Sequence, residues 1–171
     1  LNKMIIVHEV YDVIVLFDAE GDIVQVNNID REARIGAPRI LDEEVIAGVI
    51  GQNLLDYTPN SGWLQKVRSG RMGYLDWHRS PLVHKLYSYE DVDEAKQYSL
   101  GFSAPVFDDR SMVVGGILAL MNWEYIQEIT DKVDEDLDAR SLSSGDAFLI
   151  SGDNDTIISN QRVRHRDNLT V

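Results

Sequence analysis

Two rhythms of hydrophobic and polar positions run along this chain. Tyr11 to Asn28, YDVIVLFDAEGDIVQVNN, opens with a near-continuous apolar run from Val13 to Phe17, breaks at Asp18-Ala19-Glu20-Gly21, and resumes with Ile23, Val24 and Val26. β-Branched and aromatic runs on either side of a Gly-containing acidic turn predict a β-hairpin, over Val13–Phe17 and Asp22–Asn27. The uninterrupted first run predicts a strand buried on both faces, as at the centre of a sheet. Asp18, at the start of the turn, is expected to accept hydrogen bonds from backbone amides two residues on. The same grammar returns later, with strands over Tyr98–Phe107 and Met112–Asn122 around a turn at Asp108–Ser111. Pro105 cannot donate to a ladder and is expected at an edge position or a bulge.

Helical spacing fills the intervals. LDEEVIAGVIGQNLLDY carries apolar residues at Val45, Ile46, Val49, Ile50, Leu54 and Leu55, although Gly48 and Gly51 weaken the pattern. GWLQKVRSG predicts a short helix closed by Gly70. Glu124–Arg140 predicts an amphipathic helix with Ile126, Ile129, Val133 and Leu137 on one stripe and a solvated acidic face. After SLSSG, a linker, Asp146–Asn160 repeats strand, Gly/Asp/Asn turn, strand. The expected division is therefore a first module over 1–140 and the start of a second, incomplete one over 141–171, the alternative being a last hairpin of a single domain.

Composition narrows the function classes. With 29 Asp and Glu against 16 Lys and Arg, the net charge is -13, which argues against nucleic-acid binding, a process driven by neutralising phosphates. Hydrophobic residues make up 44% of the chain, enough for a packed core, and cysteine is absent, which excludes disulfides and thiolate chemistry. No apolar run approaches the ~18 residues of a membrane span. The chain opens on Leu rather than Met and is read as a fragment of something longer. No P-loop, GxGxxG or HExxH is present, and GFSAP (Gly101–Pro105) lacks the second Gly of a nucleophile elbow. Catalysis is not expected, with Ser103 and Asp18 in particular read as non-catalytic. His78 and His84 stand six apart across Pro81, a spacing that does not make a metal pair, and no cofactor is expected.

Taken together, VIVLFDAEGDIVQVN, SLGFSAPVFDDRSMVVGGILALMNWEYI and DAFLISGDNDTIIS resemble, in order and spacing, the Cache family of PAS-like sensing domains. These stretches span most of Tyr11 to Ser159. The resemblance implies an α+β fold: a five-stranded antiparallel sheet flanked by helices, with LNKMIIVHEV as the end of a long N-terminal helix. It implies an extracytoplasmic sensing domain of a membrane-anchored chemoreceptor, histidine kinase or diguanylate cyclase, as a possible homodimer, with a small molecule bound over one sheet face. The alternative is a PAS-like dimerisation or scaffold module that binds no ligand. Many amino-acid-sensing members carry an Arg two residues before a Trp-Tyr pair, and an Asp near the end of the last strand. Here Leu75 and Asp76 precede Trp77, His78 follows it, and Leu120 or Asn122 stands where the Asp would be. These departures count against an α-amino acid and leave a carboxylate without an amine, or a neutral polar molecule.

The segment that the resemblance places beside the ligand is YLDWHRSPLVHKLY, Tyr74–Tyr87, a basic and aromatic stretch in an acidic chain. Arg79 has the planar guanidinium that grips a carboxylate bidentately. Trp77, Tyr74, Tyr87 and Tyr98 are candidates for the apolar wall, and His78 for an imidazolium contact or a neutral wall. The plainer readings are that Arg79 pairs with Asp76 or another acid, that Trp77 belongs to the core, and that Lys85 is a solvated surface charge.

Overall fold

The structure, a computed structural model, describes residues 1–8, 10–29, 40–87, 98–142, 147, 149–150 and 157–159. The chain divides into two compact units, Leu1–Asn122 and Trp123–Val171. The first contains, in order, α1 (Asn2–Val7), β1 (Tyr11–Asp18), β2 (Ile23–Val26), α2 (Glu43–Ala47), a 3-10 turn (Leu54–Tyr57), α3 (Gly62–Arg68), β3 (Gly73–Arg79), α4 (Pro81–Tyr87), β4 (Tyr98–Phe107) and β5 (Val113–Asn122).

The five strands form one antiparallel sheet in the order β2-β1-β5-β4-β3. This is the α+β architecture that the resemblance implies. As the apolar run predicts, β1 lies inside the sheet, between β2 and β5, with Val13, Ile14 and Val15 fully buried. The hairpin turn closes as its chemistry dictates: Asp18 Oδ1 accepts from the Glu20 and Asp22 amides at 3.0 and 2.9 Å. Gly21 takes φ +92°, a conformation that disfavours side chains with a Cβ. Pro105 pairs with Gly116 on β5, while the last β3 pair is Gly73 with Ser103. Pro105 therefore stands where β4 has become an edge on that side, as expected.

Strand alternation divides the sheet into two faces. Val13, Val15 and Phe17 of β1, Leu118 and Leu120 of β5 and Leu75 of β3 join the core with Trp63, Leu64 and Val67 of α3 and Leu82, Val83 and Leu86 of α4. The helices thus cover this face of the sheet. Trp63 meets Phe17 edge-on, with ring centroids 5.4 Å apart and planes at 89°. The approach of α3 is close: a Cβ added at Gly73 would stand 2.4 Å from Ser103 Oγ and 2.7 Å from the Trp63 carbonyl oxygen.

In the second unit α5 spans Trp123–Ala139, and β6 (Leu149–Ile150) pairs antiparallel with β7 (Ile157–Ser159). The stripe differs from the expected one. Ile129 and Val133 are each 45% exposed, whereas Ile126, Thr130 and Asp134 are buried. Asp134 earns its place through a hydrogen bond, its Oδ1 accepting from the Ala147 amide at 2.6 Å. Among the described residues no helix is long and apolar enough to cross a membrane.

Candidate functional site

The stretch from Tyr74 to Arg79 is a strand rather than part of the helix-and-loop interval, and it carries a β-bulge. Leu75 faces Gly101 and His78 faces Ser99, so Asp76 and Trp77 together oppose Leu100. The bulge resets the alternation and decides which side chains meet. His78 turns to the helix-covered face and is 8% exposed. Arg79, next in line and paired with Tyr98, turns to the opposite face and is exposed. Trp77 stacks on Tyr98 with centroids 4.5 Å apart and planes at 3°. Tyr74 lies against Phe102 at 5.6 Å and is itself 44% exposed. Burial and the neighbouring Asp76 carboxylate, which its hydroxyl contacts at 3.2 Å, push its pKa up to about 12. Tyr87, on α4, packs against the core and donates its hydroxyl to the Asp12 carbonyl at 2.6 Å.

The six residues singled out from sequence are therefore brought to one end of the sheet but not to one face. Trp77, Arg79, Tyr98 and Tyr74 share the face turned away from α3 and α4. His78 and Tyr87 belong to the helix-covered side. Arg79 and His78 therefore do not line one face together.

Sequence reasoning missed what surrounds His78. The register runs His78–Ser99–Asn122 straight across β3, β4 and β5. All three residues are buried polar side chains on the helix-covered face, at 8%, 0% and 3% exposure. On β1, Asp12 is the extra residue of a second register shift and is also fully buried. A polar row thus runs across β3, β4 and β5 on the helix-covered face. The signal was present as Ser99 at the start of one strand and Asn122 at the end of the next, but only the register shows that they align.

His78 Nδ1 lies 2.9 Å from the Asp76 carbonyl oxygen. A carbonyl only accepts, so Nδ1 carries the proton and Nε2 of the neutral ring presents a lone pair. Nε2 has no hydrogen-bond partner, and neither do the hydroxyls of Ser99 and Ser103. Burial pushes the His78 pKa below its ordinary 6.5, against weaker opposing pulls from the Asp76 and Ser99 backbone and the Asp76 charge. In the free protein burial thus favours the neutral ring. The linkage has a definite sign. The unfolded chain binds a proton that the folded ring resists, so this contribution to stability is complete above pH 6.5 and is lost as pH falls below it. Denaturant titrations at pH 7.5 and 5.5 should show lower stability at 5.5, and His78→Gln should reduce the difference. An unchanged difference in the variant would remove His78 as its source.

Lys85 is exposed, as expected of a surface charge, and also makes contacts that the sequence did not show. Its Nζ donates to the Gly48 carbonyl at 3.1 Å, Gln52 Oε1 at 3.1 Å and the Tyr57 hydroxyl at 2.8 Å. It also sits 5.4 Å from the Tyr57 ring centroid. With that hydroxyl itself bonded to Gln52, α4 is fastened to the segment after α2. A separate open groove of about 470 Å³ lies between α1, β2 and α2, lined by Asn2, Lys3, Gln25, Glu43 and Ile46 among others. None of the six predicted residues lines it.

No family model matches the chain, and no curated protein matches it. Among solved structures it is similar to "VqmA bound to DPO", at 16% identity and a TM-score of 0.37, over 65% of this chain and 52% of that one. The chain thus spans about half the length of that structure.

Proposed function

We propose that the Leu1–Asn122 unit is a small-molecule-sensing module of PAS-like, Cache type within a membrane-anchored signal transducer. Its support is the five-stranded antiparallel sheet with helices over one face, together with the polar row on that face. The observation that carries the reading is the pair of unpartnered groups in that row, His78 Nε2 and Ser99 Oγ. A buried polar group without a partner costs about 1–3 kcal/mol. A module whose task is to receive a partner there has a use for that cost. The membrane anchor and extracytoplasmic placement rest on the resemblance to Cache domains. A bound molecule signals only if it prefers one arrangement of sheet and helices over another. The α4 helix, fastened through Lys85 and tied to β1 through Tyr87, is the element that such a preference would move.

A thermal-shift screen of small organic acids, amides, alcohols and amines tests the reading. A compound at 100 times its dissociation constant should stabilise by roughly 2.7 kcal/mol, a rise of about 5–11 °C for a chain of this size. No shift across the screen would favour the scaffold reading instead. That reading has one observation of its own: Tyr74, Phe102 and Val106 are 44%, 40% and 40% exposed on the sheet face turned away from the helices. A scaffold module would show a concentration-dependent dimer and no compound-dependent stability.

A further inference from the structure

The polar row also constrains the chemistry of what fills it. Because Nδ1 of His78 is committed to the Asp76 carbonyl, Nε2 needs a donor. Ser99 stands directly across from it, and cross-strand neighbours on one face hold their Cβ atoms about 4.5–5.5 Å apart. The Ser99 hydroxyl both donates and accepts, and has no partner in the free protein. The two groups therefore form an acceptor beside a donor–acceptor, the complement of a primary amide, a hydroxy-ketone or an N–H heterocycle.

A carboxylate fits this pair poorly, since it has no proton to give Nε2. Among the described residues the same face supplies no cation to it: Arg79 points away, and Lys85 is held by Gly48, Gln52 and Tyr57. Asn122, the third member of the row, adds an amide and no charge. We infer that the site takes an uncharged small molecule bearing a hydrogen-bond donor, gripped between His78 Nε2 and Ser99 Oγ. This assignment rests on the sensing reading and replaces the carboxylate with a neutral donor. His78 and Ser99 are buried, so entry requires the helices over this face to yield.

The test uses the full chain labelled with 15N, at pH 7.5, and two matched probe pairs: acetamide with acetate, and benzamide with benzoate. The His78 Nε2 resonance, assigned by its absence in His78→Gln, is followed during each titration. The expected result is a saturable shift with an amide, no shift with its carboxylate partner, and an affinity weakened roughly 2- to 12-fold in Ser99→Ala, the worth of one neutral hydrogen bond. Ser99→Ala removes a hydroxyl that has no partner in the free protein, so it should fold at least as well as the wild type. A carboxylate that binds more tightly than its amide, with the same dependence on Ser99, would leave the sensing site standing and overturn the neutral-donor class. If neither member of either pair moves the resonance, and Ser99→Ala is clearly destabilised, the row is a water-filled structural feature and both readings fall.

Discussion

Trp63→Ala is expected to cost about 3–5 kcal/mol of stability, the range for deleting a fully buried large aromatic. Trp63 is 1% exposed and sits where α3 meets the sheet. Its ring edge contacts Phe17, and its indole N–H reaches the Thr58 hydroxyl at 3.3 Å. The cavity cannot close easily, because the α3 backbone already lies against Gly73 as near as a glycine permits. Trp77→Ala makes the informative contrast. Trp77 is half-buried, and its stack on Tyr98 is the kind of aromatic pair worth about 0.5–1.5 kcal/mol beyond the area it covers. Urea titrations of the two variants should therefore rank Trp63→Ala well below Trp77→Ala in stability. Equal losses would mean that the core has been placed on the wrong side of β3.

Asn27→Leu should be nearly as damaging, at about 2–5 kcal/mol, even though it keeps the volume and removes a polar group from the interior. Asn27 is fully buried, and its side chain acts as an extra rung beside β2. Oδ1 accepts from the Ile14 amide at 2.7 Å, and Nδ2 donates to the Ile29 carbonyl at 3.0 Å and, more loosely, to the Asp12 carbonyl at 3.4 Å. Leucine would leave the Ile14 N–H with no acceptor inside a strand buried on both faces. The Asp12 carbonyl is also where the Tyr87 hydroxyl lands, so Asn27 helps fix the backbone to which α4 is tied. A loss below about 1 kcal/mol would show that water or a backbone shift replaces these bonds.

Much of the scaffold was legible in the sequence, for identifiable reasons. Long β-branched runs broken by Asp-x-x-Gly or Asp-Asp-x-Ser leave few alternatives to hairpins, and four strands fall where the pattern predicts. The strand β3 was not legible. In YLDWHR the bulge at Asp76-Trp77 breaks the period of two, so polar and apolar residues do not alternate in sequence although they do in space. The same bulge explains the site. Read as a line of residues, Trp77, His78 and Arg79 suggest one basic, aromatic pocket. Folded, consecutive residues point to opposite faces, and His78 keeps company with Ser99 and Asn122, which lie 21 and 44 positions further along and are joined to it only by register. Lys85 is the exposed charge that the sequence suggests, but its contacts were not legible. A lysine with no carboxylate partner looks idle until the carbonyl and hydroxyl that hold it are seen.

Co-crystallisation of the full chain with the strongest thermal-shift hit decides whether the polar row is where this protein senses. The reading predicts the bound molecule on the helix-covered face, with a donor within about 2.7–3.2 Å of His78 Nε2 and a second polar atom at the same range from Ser99 Oγ. A molecule seated instead in the groove between α1, β2 and α2, against Lys3, Gln25 and Glu43, would contradict it, and would move the functional site to the β2 edge of the sheet.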